Sequence, residues 1–342
     1  MRSCVAGAQG AREFGWVLGS APHYAIAGPN PPPPLTCLLV APRKREEIAP
    51  FRFKPVDGTA EVGLRRIACR ELDDTLAMIR ARELPPERIV HKVRRSCKAV
   101  RGLLRLVRPV FPAYETENSA FREIAASLSH ARDGEVLAST LDQLVAGADV
   151  ALNKASLAAL RDRLLSREGA CEPVEALLER CVEPLLAARV RAASWFLTEA
   201  DREDALKPGL RKTYRSARRA MRAAARTGNP HDSYEWRKHV KYHWQHMRLL
   251  RALAPEQAKA RLEPTDRLGD LLGERHDLDL LETRLTEAAG ALPDPETATR
   301  LARLAAARAA DLTAKAERLG TPLFHEKPSA FVRHWHLDLV GK

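Results

Sequence analysis

His91–Arg108, HKVRRSCKAVRGLLRLVR, constrains this chain more than any other stretch, because its pattern returns 143 residues later. Between Pro85-Pro86 and Pro109 it holds no helix breaker except Gly102 and no acid, while seven Lys or Arg accompany His91. On a helix of about 3.6 residues per turn, His91, Arg94, Lys98, Arg101 and Arg105 share an arc of roughly 80°. Val93, Cys97, Val100, Leu104 and Val107 form a second arc, centred roughly 120° away. One face is therefore apolar and its neighbour a cationic stripe roughly 20 Å long. Like charges at i,i+4 spacing repel by about a few tenths of a kcal/mol per pair. A helix built only for stability interleaves acids with bases. This one gains relief when a polyanion crosses it, whereas an isolated basic helix reads first as a solvated face.

The repeat shifts that balance. Moved by 143 residues, Arg94, Arg95, Lys98, Arg105 and Arg108 fall on Arg237, Lys238, Lys241, Arg248 and Arg251, and Leu106-Val107 fall on Leu249-Leu250. At a shift of 144, Leu128 and Asp133 meet Leu272 and Asp277, so two related halves differ by a small loop change. A third stripe, Arg211–Arg226, carries seven cations and no acid, with Lys212, Arg215, Arg219, Arg222 and Arg226 on one arc. Its first-half counterpart near Arg66 and Arg70 is diluted by Glu71, Asp73 and Asp74. Several such stripes converging on one groove make an electrostatic trap whose affinity falls with salt. Arg grips phosphate oxygens bidentately and Lys acts as a point charge. A repeating phosphate chain suits that chemistry.

The remainder of the 342-residue chain agrees. Lys plus Arg number 56 against 44 acids, a net charge of +12, which favours an anionic partner and says little about fold. Aromatic residues are only 5%, few for stacking bases. Cys4, Cys37, Cys69, Cys97, Cys171 and Cys181 form no CxxC pair and no zinc spacing, and read as small hydrophobes in a reducing compartment. No apolar run reaches the ~20 residues of a membrane span, and the N-terminus shows no signal-peptide pattern, so a cytoplasmic protein is expected.

Residues 1–58, with the PNPPPP run at Pro29–Pro34, read as a disordered segment. From Thr59 onward every periodic segment reads as helix: 60–83, 86–108, 115–132, 134–147, 150–167, 173–200, 207–227, 233–253, 256–275, 277–290 and 294–319. Asp232 or Ser233 is expected to cap the helix near Tyr234. The class is all-α.

HKVRRSCKAVRGLLRL at His91–Leu106, YEWRKHVKYHWQHMRLL at Tyr234–Leu250 and LGDLLGERHDLDLL at Leu268–Leu281 resemble the paired motifs of the CHAD domain (conserved histidine α-helical domain). The resemblance covers most of 60–335. It implies two pseudo-symmetric four-helix bundles around a basic central groove or pore, here divided about 59–200 and 201–342. It also implies non-catalytic binding of inorganic polyphosphate, often at polyphosphate granules, with no cofactor. By position it points to His91, Arg94, Arg95, Lys98 and Arg101 in the first half and to Arg237, Lys238 and Lys241 in the second. The stripes add Arg105, Lys212, Arg215, Arg219, Arg222 and Arg248. Tyr234 stands where the second motif usually carries its histidine, with His231 one turn earlier.

His239, His243 and His246 have a spacing able to hold a metal, but no carboxylate joins them and Lys241 is adjacent. His231-Asp232 and His276-Asp277 suggest an HD-type metal phosphohydrolase, yet His276-Asp277 aligns with Arg132-Asp133, as a structural repeat requires. The E-x-E-x-K signature of the CYTH-type triphosphate-processing domains fused to some CHAD domains and the GxxxxGK[ST] phosphate loop are absent, so no enzyme is expected. Non-specific nucleic-acid binding is the main alternative, although no helix-turn-helix or RNA-binding signature accompanies the charge. The sequence leaves the oligomeric state open.

Overall fold

The computed structural model describes residues 51–128, 133–147, 154–165, 172–199, 201–289 and 295–337, all within the larger of the chain's two units, Glu47–Lys342. Among them there is no strand, and the class is all-α as expected. The helices are α1 (Ala60–Ala81), α2 (Pro86–Val107), α3 (Tyr114–Ser127), α4 (Asp133–Ala146), α5 (Lys154–Leu165) and α6 (Val174–Ala192). They continue with α7 (Arg202–Thr227), α8 (Pro230–Leu250), α9 (Pro255–Ala289), α10 (Pro295–Phe324) and α11 (Pro328–Arg333).

Local chemistry sets their ends. The Thr59 hydroxyl accepts from the Val62 N–H at the start of α1, and Asp201 accepts from the Glu203 and Asp204 N–H groups at the start of α7. Helix α7 stops at Gly228, whose φ of 63° is the left-handed conformation glycine tolerates at a helix end. Two residues later α8 begins. Its cap is Asn229, which accepts from the His231 N–H, with Pro230 in the first turn, so the expected cap at Asp232 or Ser233 is corrected. Asp232 instead accepts from the Thr227 hydroxyl at 2.6 Å.

Two expected helices, 256–275 and 277–290, are one. Nothing breaks α9 at the proposed junction, where Arg275 pairs with Asp279 one turn on at 3.2 Å. Helix α10 likewise runs past 319, because Gly320 is needed for packing rather than termination: a Cβ there would sit 2.6 Å from the Trp236 ring. Helix α6 ends eight residues before the expected 200, and the short α11 has no counterpart in the sequence reading.

Residues 1–50 of the expected disordered segment lie outside the described residues. Residues 51–58 join the fold: Phe53 is buried, its N–H donates to the Leu249 carbonyl at 2.9 Å, and Asp57 is buried against Arg66.

One core runs through α1, α2, α3, α6, α7, α8 and α11, with Val93, Leu103, Phe121, Leu185, Tyr214, Trp236 and Trp335 inside it. Leu268 and Leu272 of α9 and Phe324 of α10 join it. A second core lies further along α9 and α10, where Leu281, Leu285, Leu301 and Leu312 meet Leu137 and Leu141 of α4 and Leu160 of α5. Helices α4 and α5 thus pack against the far ends of α9 and α10. The reason is apolar surface: the far ends of α9 and α10 need a cover.

Helix α2 joins the halves, packing on both α7 and α8. A Cβ on Gly209 would fall 1.7 Å from the Leu106 carbonyl oxygen, so only glycine allows α7 this close to α2. At Gly102, α8 approaches so closely that a Cβ would be 3.1 Å from that of Gln245.

Candidate functional site

The apolar arc of α2 is buried, which turns its cationic arc toward α3 on one side and α8 on the other. The stripe is therefore divided by its neighbours. Toward α3, Arg94 donates to the Leu128 carbonyl at 2.9 Å and Arg101 donates to Asn118 at 3.1 Å. These two side chains hold α3 in place. His91 and Lys98 are exposed on the same helix.

On the α8 side, Arg105 is the meeting point. Its guanidinium lies over the Tyr242 ring, 4.1 Å from the centroid. Its Nε is shielded from solvent and has no hydrogen-bond partner among the described residues. From α7, Lys212 faces it: burial first, then Arg108, Arg215 and Arg105, hold the Lys212 ammonium below its ordinary range, with Glu115 opposing. Arg219 and Lys238 complete the cluster through His239, whose ring is pushed down to about 4 by burial, Lys238, Arg105 and Arg219. Arg215, Arg219 and Arg222 are exposed along α7. The carboxylates at this face are Glu115, paired with Arg108, and Glu235, paired with Lys238.

A second, weaker basic face lies across the α2–α8 crossing. Arg248 stacks on Trp244, 4.8 Å from the ring centroid, and its charge is disfavoured by burial and then by Arg95 and Arg251. Glu71 and Asp266 offset those cations. Arg237 and Lys241 point elsewhere, to α9. Lys241 pairs with Asp270 at 2.9 Å and lies against Gly269, while Arg237 lines a cleft of about 990 Å³ between α4, α8, α9 and α10. Asp270, Glu274, Asp277 and Arg308 also line that cleft, where Arg308 pairs with Glu274 at 2.9 Å. Its carboxylates outnumber its bases, which suits a polyanion poorly.

The structure thus brings together Arg105, Lys212, Arg215, Arg219 and Lys238. It separates from them Arg94 and Arg101, Arg95 and Arg248, and Arg237 and Lys241. Arg108 extends the same face and was missed as a site residue, although it continues the i+3/i+4 series after Arg105. The histidine spacing of α8 resolves differently. His243 is fully buried among Tyr214, Phe324 and Phe331, and His246 is buried with its Nε2 3.1 Å from the Gly102 carbonyl. No group of three or more metal-ligating side chains occurs among the described residues. Tyr234 packs on His276, 5.0 Å between ring centroids, while His231 is exposed in the first turn of α8. Among the described residues no helix is long and apolar enough to cross a membrane.

The family model of the CHAD domain matches residues 68–286, from α1 through most of α9. The chain belongs to the CHAD-domain family. A crystal structure of the CHAD domain from the plant Ricinus communis aligns with 87% of this chain and 98% of its own, at 16% identity and a TM-score of 0.48. No curated protein matches the chain. Within the family span, the basic face centred on Arg105 draws on both motif helices, α2 and α8, and on α7 between them.

Proposed function

We propose that this CHAD-domain protein binds inorganic polyphosphate, without catalysing a reaction on it, through the face where α2, α7 and α8 meet, and that this binding associates it with polyphosphate granules. The observation that carries the reading is the set of cations around Arg105. Arg105, Lys212, Arg215, Arg219 and Lys238 come from three helices, with Arg108 just past the end of α2; these cations repel one another, and the carboxylates that offset them among the described residues are Glu115 and Glu235. Such a cluster is held by the core at a cost and is relieved by a ligand bearing many closely spaced negative charges. A phosphate chain presents one charge per repeat and needs no base-reading pocket.

The test is binding of the full chain to long-chain polyphosphate against the same phosphate concentration as duplex DNA, across a salt series. Tighter binding to polyphosphate that weakens steeply with salt is expected. The double change Arg105→Glu with Lys212→Glu is expected to lower affinity more than 100-fold, estimated at about tenfold or more per reversed charge, while Lys241→Glu on the α9 side leaves most of it. Equal or tighter binding to DNA replaces this reading with non-specific nucleic-acid binding.

A further inference from the structure

His239 stands on α8 where three cation-bearing helices meet. Its side chain is 18% exposed, and its Nε2 lies 3.9 Å from the Glu235 carboxylate one turn earlier. The charged groups acting on it come from every helix at this corner: Arg105 from α2, Arg219 from α7, and Lys238 and Glu235 from α8. Burial first, then Lys238, Arg105 and Arg219 against the one carboxylate of Glu235, keep the ring neutral in the free protein. An imidazole in that place is a donor waiting for the local potential to change sign.

We propose that His239 is itself a phosphate ligand whose proton arrives with the polyanion: neutral in the free protein, it takes a proton from solvent once phosphates neutralise Arg105, Arg219 and Lys238. The inference rests on the polyphosphate reading and adds to it a residue and a proton. The balance is simple: one proton leaves the solvent, joins the imidazole, and no bond of the ligand breaks. Because the free ring titrates near 4, and a bound phosphate raises that value, the complex holds more protons than its parts throughout the interval between the two values. Affinity therefore rises as pH falls through that interval, and levels off below the free value.

The experiment is calorimetry of the full chain with long-chain polyphosphate from pH 5 to 8, in pairs of buffers with different ionisation heats. Long chains are used because only their end groups titrate near neutrality. Proton uptake is expected to grow below pH 7 toward one per bound site, with affinity rising by up to about tenfold per pH unit. His239→Gln is expected to remove that proton and flatten the profile. Glu235→Gln, which deletes the carboxylate supporting the imidazolium, is expected to move the uptake to lower pH. Equal proton uptake by wild type and His239→Gln overturns the inference, as does a histidine ring resonance of the wild type whose midpoint is unmoved by polyphosphate. Binding at pH 8 without proton uptake at pH 5 overturns this inference alone. No binding by wild type at any pH overturns the polyphosphate reading, and this inference with it.

Discussion

Gly102 of α2 and Gln245 of α8 touch, and they are 143 residues apart, the same interval that superimposes the two basic motifs. On either side of this contact the same pairing recurs: Arg105 with Lys238 about His239, and Arg95 with Arg248. In the motif register Arg105 matches Arg248 and Arg95 matches Lys238. The two flanks differ in their acids. Glu71 and Asp266 moderate one, while α7 adds Lys212, Arg215 and Arg219 to the other.

Close helix approach gives the first prediction. Gly209→Ala drives a methyl into the Leu106 carbonyl, a backbone atom that cannot step aside, whereas Gly102→Ala meets the Gln245 side chain at 3.1 Å. Gly209→Ala is expected to cost about 3 kcal/mol or more and Gly102→Ala about 1 kcal/mol. Urea midpoints at constant m-value check the order.

The asymmetry of the flanks gives the second. Arg105→Glu is expected to weaken polyphosphate binding by about tenfold or more, and Arg95→Glu by no more than about threefold, because Glu71 and Asp266 already offset that side. A direct binding titration of the two single variants decides it.

Arg94 is a family-motif residue with a structural task. Its guanidinium closes the end of α3 through the Leu128 carbonyl. Arg94→Ala is expected to destabilise the fold by about 1–2 kcal/mol, the worth of a charge-assisted hydrogen bond. Hydrogen exchange at the end of α3 is expected to quicken. A loss of binding on changing Arg94 is therefore interpretable only beside a stability measurement.

Acid is expected to destabilise the free protein. His246 is held down to about 3, by burial first with the Gly102 carbonyl partly opposing. His239 and His276 are held down to about 4, by burial and then by nearby cations. All three are neutral in the folded state and charge in the unfolded chain below about 6.5. Their contribution is complete above that pH and is lost as pH falls toward 4 and then 3, at a limit of about 1.4 kcal/mol per unit for each. Melting temperature followed from pH 7 to pH 4 is expected to drop, and less steeply for His246→Gln.

Burial pushes the Cys97 thiol up to about 12, with Cys181 adding to it. In the folded protein Cys97 is expected to resist a maleimide at neutral pH and to react only after unfolding. Mass spectrometry of labelled peptides, with and without guanidinium, reads this out.

Much of the fold was written in residue periodicity. The apolar arc Val93, Cys97, Val100, Leu104 and Val107 is buried as its spacing requires, and the repeat interval sets α8 against α2. Caps and breaks were less legible: Asn229 took the cap expected of Asp232 or Ser233, and Gly320 proved to be packing space for Trp236. The basic composition raises the expectation of an anionic partner. Which cations act together was decided only by tertiary packing. A helical wheel places Arg94, Arg101 and Arg105 on one arc, but α3 occupies the first two through Leu128 and Asn118, while α7 and α8 bring Lys212, Arg219 and Lys238 to the third. Spacing along one helix fixes a direction in space; the charge that direction meets belongs to another part of the chain.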